Sequence, residues 1–146
     1  MTAPDAKTLY QEVVLLHGNS PHNEGPLPGA THEATKKNPL CGDRVTVRLV
    51  VEGGQVRAAR FEARGCMIAR ASASLLTDAV AAVGVEDARA LATRLEALVN
   101  GDPPPGDAGV LEPLRGVRDF PARRGCVTLA WRALEAALGG AETSSP

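Results

Sequence analysis

Apolar positions along the chain change period several times, and each change marks an element. Leu9, Val13 and Leu16 recur at helical spacing, with Tyr10 and Val14 alongside, which predicts an amphipathic helix over 5–16. Asp5 suits its N-cap or first turn, and Gly18-Asn19-Ser20-Pro21 is expected to stop it. A loop rich in Pro and Gly follows, and 31–36 reads as a short edge strand. From 45 to 52, Val45, Val47, Leu49 and Val51 alternate with Thr46, Arg48 and Val50, the period of a strand. Gly53-Gly54 supplies a hairpin turn. The return strand, 55–64, puts Ala59, Phe61 and Ala63 on one face and Arg60, Glu62 and Arg64 on the other.

Helical periods then take over. Segment 67–82 is rich in Ala and Ser, with a stripe of Ile68, Ala71, Leu75 and Ala79 and enough small residues for close packing. Segment 86–99 aligns Ala88, Leu91, Leu95 and Leu98 and is capped by Asn100-Gly101. A proline-rich loop is expected over 102–109 and a helical turn over 110–114, around Pro113. The last helix follows, with Val127, Trp131, Leu134 and Leu138 at i, i+4, i+7 and i+11 and Gly139-Gly140 at its end. The expected organisation is one domain over 1–139 with a disordered Ser/Thr/Pro tail over 140–146.

Composition narrows the function classes. The chain has 146 residues, enough to bury a core without disulfides or a metal, and 44% of them are hydrophobic. Sixteen basic and 17 acidic residues nearly cancel, so no whole-chain field draws in nucleic acid or an anionic membrane. Aromatics are 3%, too few for a base-stacking platform. Three cysteines are an odd number for a disulfide framework. Residues 1–7 lack the apolar core of a signal peptide, and no stretch reaches the roughly 18 apolar residues of a membrane helix. A cytoplasmic location is expected, where thiols stay reduced.

The candidate chemistry lies in the cysteines. Asn38-Pro39-Leu40-Cys41-Gly42-Asp43-Arg44 places a thiol and a carboxylate two residues apart in a loop. Cys41 precedes a strand, Cys66 joins a strand to a helix, and Cys126 lies in the first turns of a helix, so three element ends can converge at one edge of a sheet. A helix N-terminus favours thiolate, the form that binds metal or attacks sulfur. Cys41, Asp43, Cys66 and Cys126 would complete a four-ligand shell, and soft sulfur donors select Zn²⁺ or iron–sulfur chemistry over Mg²⁺ or Ca²⁺. Such a shell carries more negative charge than one dication balances, which invites a cationic role for Arg44, Arg64, Arg123 and Arg124. The alternatives are cysteines that simply pack and arginines that are solvated surface. His17, His22 and His32 match no tight metal spacing and read as exposed loop residues.

These motifs, in this order, resemble the U-type iron–sulfur assembly proteins, and most closely their SufU branch. The first motif is Asn38-Pro39 with Cys41-Gly42-Asp43-Arg44. The second is Gly65-Cys66 followed by Ala71-Ser72-Ala73-Ser74. The third runs from Phe120-Pro121-Ala122-Arg123 through Cys126, Leu129 and Trp131 to Ala133-Leu134. Leu9-Tyr10 and His17, Pro21, Asn23 and Gly25 are similar too. The resemblance implies an α+β fold: a small antiparallel sheet of about three strands packed against several helices. It implies metal ligands at Cys41, Asp43, Cys66 and Cys126, Zn²⁺ as the cofactor, and Cys41 as the residue that takes up sulfur. The implied partners are a pyridoxal-phosphate cysteine desulfurase of the SufS type and downstream Suf assembly proteins. IscU-type scaffolds carry a histidine directly before the third cysteine, where this chain has Gly125. That difference favours a zinc-dependent sulfurtransferase over a scaffold for a transient iron–sulfur cluster. A structural zinc domain that only docks partners is a third reading, disfavoured by the carboxylate of Asp43.

Overall fold

The computed structural model describes residues 6–38, 42–100, 111, 114–117 and 120–139, with 6–9 described by their backbone alone. The expectations for Cys41, the proline loop, the tail and most of the 110–114 turn lie outside the described residues. Of that turn, Leu111 and Leu114 are described; both are buried in 3₁₀ conformation, which continues through 117.

Three antiparallel strands, β1 (His32–Lys37), β2 (Arg44–Glu52) and β3 (Gln55–Arg64), form one sheet in the order β1-β2-β3. Alternation in β2 and β3 sends Val45, Val47, Leu49, Ala59 and Phe61 to one face, and a register shift at Val50/Val51 brings Val56 to it; all are buried. On the other face Arg48 binds Glu33 of β1 through Nε at 3.1 Å and Glu62 of β3 through Nη1 at 2.6 Å, tying the three strands together. Helices α2 (Met67–Val80) and α4 (Arg124–Leu138) cover the apolar face. Helix α1 (Ala6–Asn19) packs on α2, and α3 (Val85–Val99) packs on α4. The expected α+β architecture is therefore borne out.

The seam between α2 and α4 explains the small residues of α2. Ala69, Ala71, Ser72, Ala73 and Ser74 are buried, and so is Trp131 of α4. The indole N–H of Trp131 donates to Ser72 Oγ at 3.0 Å, and that hydroxyl donates to the Val127 carbonyl at 2.6 Å. A buried indole thus has a partner, as the cost of an unpaired donor requires. The turn between α2 and α3 closes on the sheet, with Ala82 N–H bonded to Val56 O and Val56 N–H to Val83 O.

Helix α1 differs from expectation in its length and in its buried face. It runs to Asn19 rather than stopping at 16. Gly18 is not a breaker there: a Cβ at this position would fall 2.0 Å from Met67 Cγ, so glycine lets α1 approach the start of α2. Among residues 10–19 the buried ones are Tyr10, Val14, His17 and Gly18, whereas Leu15 and Leu16 are exposed and Val13 is half-buried. The sequence holds two adjacent apolar stripes, and packing on α2 selects the one that ends in histidine. The histidines are corrected with it. His17 is buried in α1 and His32 opens β1; only His22 is an exposed loop residue, and it is hydrogen-bonded.

Candidate metal centre

Cys66 is the N-cap of α2. Its Sγ accepts the Ala69 N–H at 3.4 Å, an interaction normally supplied by an oxygen side chain. Asp43 stands just before β2, almost fully buried, and reaches across to the end of β3. Its Oδ1 accepts the Cys66 N–H at 3.1 Å, and its Oδ2 accepts the Cys66 Sγ–H at 3.2 Å. Cys126 arrives from the first turn of α4 and is buried. One ligand atom from each of Asp43, Cys66 and Cys126 lies within 4.8 Å of the others. These are three of the four residues singled out from the sequence; Cys41 lies outside the described residues.

Two glycines shape this corner. Gly65 has φ +133°, and a Cβ there would sit 1.9 Å from Asp43 Oδ1, so any other residue would both strain the backbone and displace the carboxylate. Gly42 has φ +77°, turning the chain between Cys41 and Asp43. Two backbone bonds, Asn38 N–H to Asp43 O at 2.9 Å and Gly42 N–H to Asn38 O at 2.7 Å, hold the flanks of segment 39–41 together. Gly125 faces the same loop: a Cβ at 125 would stand 2.9 Å from Asn38 Nδ2. A larger residue before Cys126 would therefore have to push Asn38 aside.

Sequence reading passed over Tyr10 as a neighbour of this site. Its ring stacks on Phe120 with centroids 5.6 Å apart, and its hydroxyl is buried with no hydrogen-bond partner among the described residues. Burial, then the negative charges of Cys126 and Cys66, push its pKa up to about 12, with Arg123 pulling the other way. Arg44, Arg64 and Arg123 are exposed, so their surface reading is the one the structure supports. Arg124 differs: its Nε is buried without a hydrogen-bond partner among the described residues.

The donor set can be judged on its chemistry. Two sulfurs and a carboxylate oxygen, gathered in a mostly buried corner, suit a tetrahedral thiophilic ion such as Zn²⁺ and do not suit Mg²⁺ or Ca²⁺, which want oxygen cages. Beside the corner, Tyr10, Gln11, Leu15, Ile68, Phe120 and Arg123 help line a groove of about 540 Å³. No helix among the described residues is long and apolar enough to cross a membrane.

A small antiparallel sheet backed by helices, with Asp, Cys and Cys gathered at one corner, is the arrangement the resemblance implies. The chain belongs to the family of the NifU-like N-terminal domain, whose model matches residues 9–142. The resemblance to the U-type iron–sulfur assembly proteins is thereby borne out. The chain is 38% identical over 130 residues to the zinc-dependent sulfurtransferase SufU of Bacillus subtilis (strain 168), covering 88% of each protein. It is 39% identical over 133 residues to the iron–sulfur cluster assembly scaffold protein IscU of Streptococcus pyogenes serotype M1, covering 89% of this chain and 82% of that protein. Among solved structures, a crystal structure of a hypothetical protein superposes with a TM-score of 0.81 at 37% identity, covering 91% of this chain and 98% of the other. The N-terminal NifU-like protein of Brucella abortus superposes with a TM-score of 0.80 at 26% identity, covering 90% and 92%.

Proposed function

We propose that this chain is an iron–sulfur cluster assembly protein that works as a zinc-dependent sulfurtransferase, with Cys41, Asp43, Cys66 and Cys126 as the zinc ligands. The observation that carries the reading is the convergence of Asp43, Cys66 and Cys126 from three separate elements. The relation to a SufU protein supports it. Bound zinc would supply positive charge that keeps the clustered thiols deprotonated at neutral pH. The partner is a cysteine desulfurase of the SufS type, and downstream Suf assembly proteins receive the sulfur in the cytoplasm. Cys41 attacks the outer sulfur of the enzyme's persulfide; a new S–S bond forms on Cys41, the enzyme's S–S bond breaks, and its cysteine leaves as thiolate. That Cys66 caps α2 and Cys126 is buried in α4 supports Cys41 as the thiol that carries sulfur.

Desulfurase turnover with and without the zinc-loaded protein tests this, with Cys41→Ala as the control. Stimulation that disappears in the variant is the expected result; turnover unchanged by the wild-type protein overturns it. The second reading, a scaffold for a transient iron–sulfur cluster, is favoured by the comparable identity to an IscU protein. Reconstitution with iron and sulfide distinguishes it: a bound and transferable cluster, without stimulation of the desulfurase, selects the scaffold.

A further inference from the structure

A second group of ligand-type side chains lies well away from the sulfur-rich corner. His17 in the last turn of α1, His22 in the next loop and Asp78 in the last turn of α2 each offer one ligand atom within 4.8 Å of the others. The two imidazole rings have centroids 4.7 Å apart. Cys66 caps the start of α2 and Asp78 sits some three turns further on, roughly 18 Å away at 1.5 Å per residue. The two groups are therefore separate.

Backbone bonds fix His22 in place. Its N–H donates to Ser74 Oγ at 2.7 Å, and its carbonyl accepts from Thr77 Oγ1 at 3.4 Å. Beyond it, Phe61 N–H donates to Asn23 O and Gly25 N–H to Phe61 O, stitching the loop to β3. The surrounding contacts are those that orient metal ligands. Ser74 Oγ lies 2.7 Å from His17 Nδ1, and with two lone pairs it can accept from both that nitrogen and the His22 amide. In that tautomer His17 Nε2 keeps its lone pair. Asn23 Nδ2 donates to Asp78 Oδ1 at 3.0 Å, while Asp78 Oδ2 meets His22 Nδ1 at 2.6 Å. His22 and Asp78 are 52% and 40% exposed, open to ions from solvent.

We propose that His17, His22 and Asp78 form a second metal site, which takes a first-row divalent transition-metal ion through two imidazole nitrogens and one carboxylate oxygen. Nitrogen and oxygen donors of this kind suit Zn²⁺, Co²⁺, Ni²⁺ or Fe²⁺ and disfavour Mg²⁺ and Ca²⁺. The ion takes the place of the hydrogen bond between His22 Nδ1 and Asp78 Oδ2, with the neutral imidazole carrying its one N–H on Nε2. Three protein ligands leave a coordination position for water, so this site exchanges its metal more readily than the sulfur-rich one.

The test is a titration of the metal-free full chain with Zn²⁺ against a chromophoric chelator, and a parallel one with Co²⁺. The expected result is two equivalents per chain. The second Co²⁺ equivalent should lack the thiolate-to-cobalt charge-transfer band that the first shows. H22A and D78N, both at exposed positions, should weaken the second equivalent at least tenfold and leave the first in place. A single Co²⁺ equivalent in the wild-type protein that carries the thiolate band, with none bound beyond it, overturns the proposal. So does a second equivalent that H22A combined with D78N leaves unchanged. Loss of the first equivalent alone would bear on the sulfur-rich centre and not on this one.

Discussion

At the N-terminal end of α2, Cys66 meets Asp43 and Cys126; at the C-terminal end, Asp78 meets His17 and His22. The first group is made of two soft sulfurs and a carboxylate at the ends of regular elements, in space that Gly65 keeps open. The second is made of imidazoles and a carboxylate, half in solvent, with one ligand on a loop that is stitched to its neighbours. The difference shows two ways of building a ligand cluster. One spends special residues, glycines and cysteines, and so leaves a trace in the sequence. The other uses ordinary residues and relies on hydrogen bonds for placement.

Cys66→Ser and Cys126→Ser should break the comparison most severely. Each should cost the sulfur-rich centre more zinc affinity than the ~10–100-fold of an outer-shell change, measured by chelator competition, while the His/Asp group is untouched. Trp131→Ala should disturb both ends at once. It opens the α2–α4 seam and removes the N–H that Ser72 Oγ accepts, at an expected cost of about 3–5 kcal/mol in urea unfolding. Gly65→Ala sharpens the contrast: backbone strain of about 1–3 kcal/mol and a displaced Asp43 should lower zinc retention at one end only. H22A should change stability by less than about 1 kcal/mol, because the His22–Asp78 pair is exposed; a larger loss in thermal unfolding would mean that the loop, rather than the ion site, is its main work.

The smallest effect concerns Tyr10. Its folded-state pKa of about 12 lies above the ordinary tyrosine value near 10, so the native chain holds this proton more tightly than the unfolded chain does. Its contribution is complete below pH 10 and is lost as pH rises toward 12. Tyr10→Phe should be close to neutral at pH 7, since it removes a hydroxyl with no partner among the described residues, and should flatten the alkaline limb of a stability–pH curve.

Much of the fold was legible in the sequence. Alternation in β2 and β3, the Gly53-Gly54 turn and the Val127, Trp131, Leu134, Leu138 stripe mark structure through local periodicity, which depends only on backbone geometry. Asp43, Cys66 and Cys126 were legible as candidates because thiols are donors that soft metals select and Asp43 stands two residues from a third cysteine. The buried side of α1 was not. Leu9, Val13 and Leu16 make as good a stripe as Tyr10, Val14 and His17, and the choice between them came from what α2 presents.

The sequence by itself determined the elements, their order and the donor chemistry of the sulfur-rich corner, because periodicity and ligand softness belong to residues taken one segment at a time. Tertiary structure alone decided that Gly18 and Gly65 serve close approach, that Tyr10 adjoins the cysteines, and that Asp78 meets two histidines more than fifty residues away. Those are contacts between segments, set by how helices and sheet pack, and no local pattern carries them.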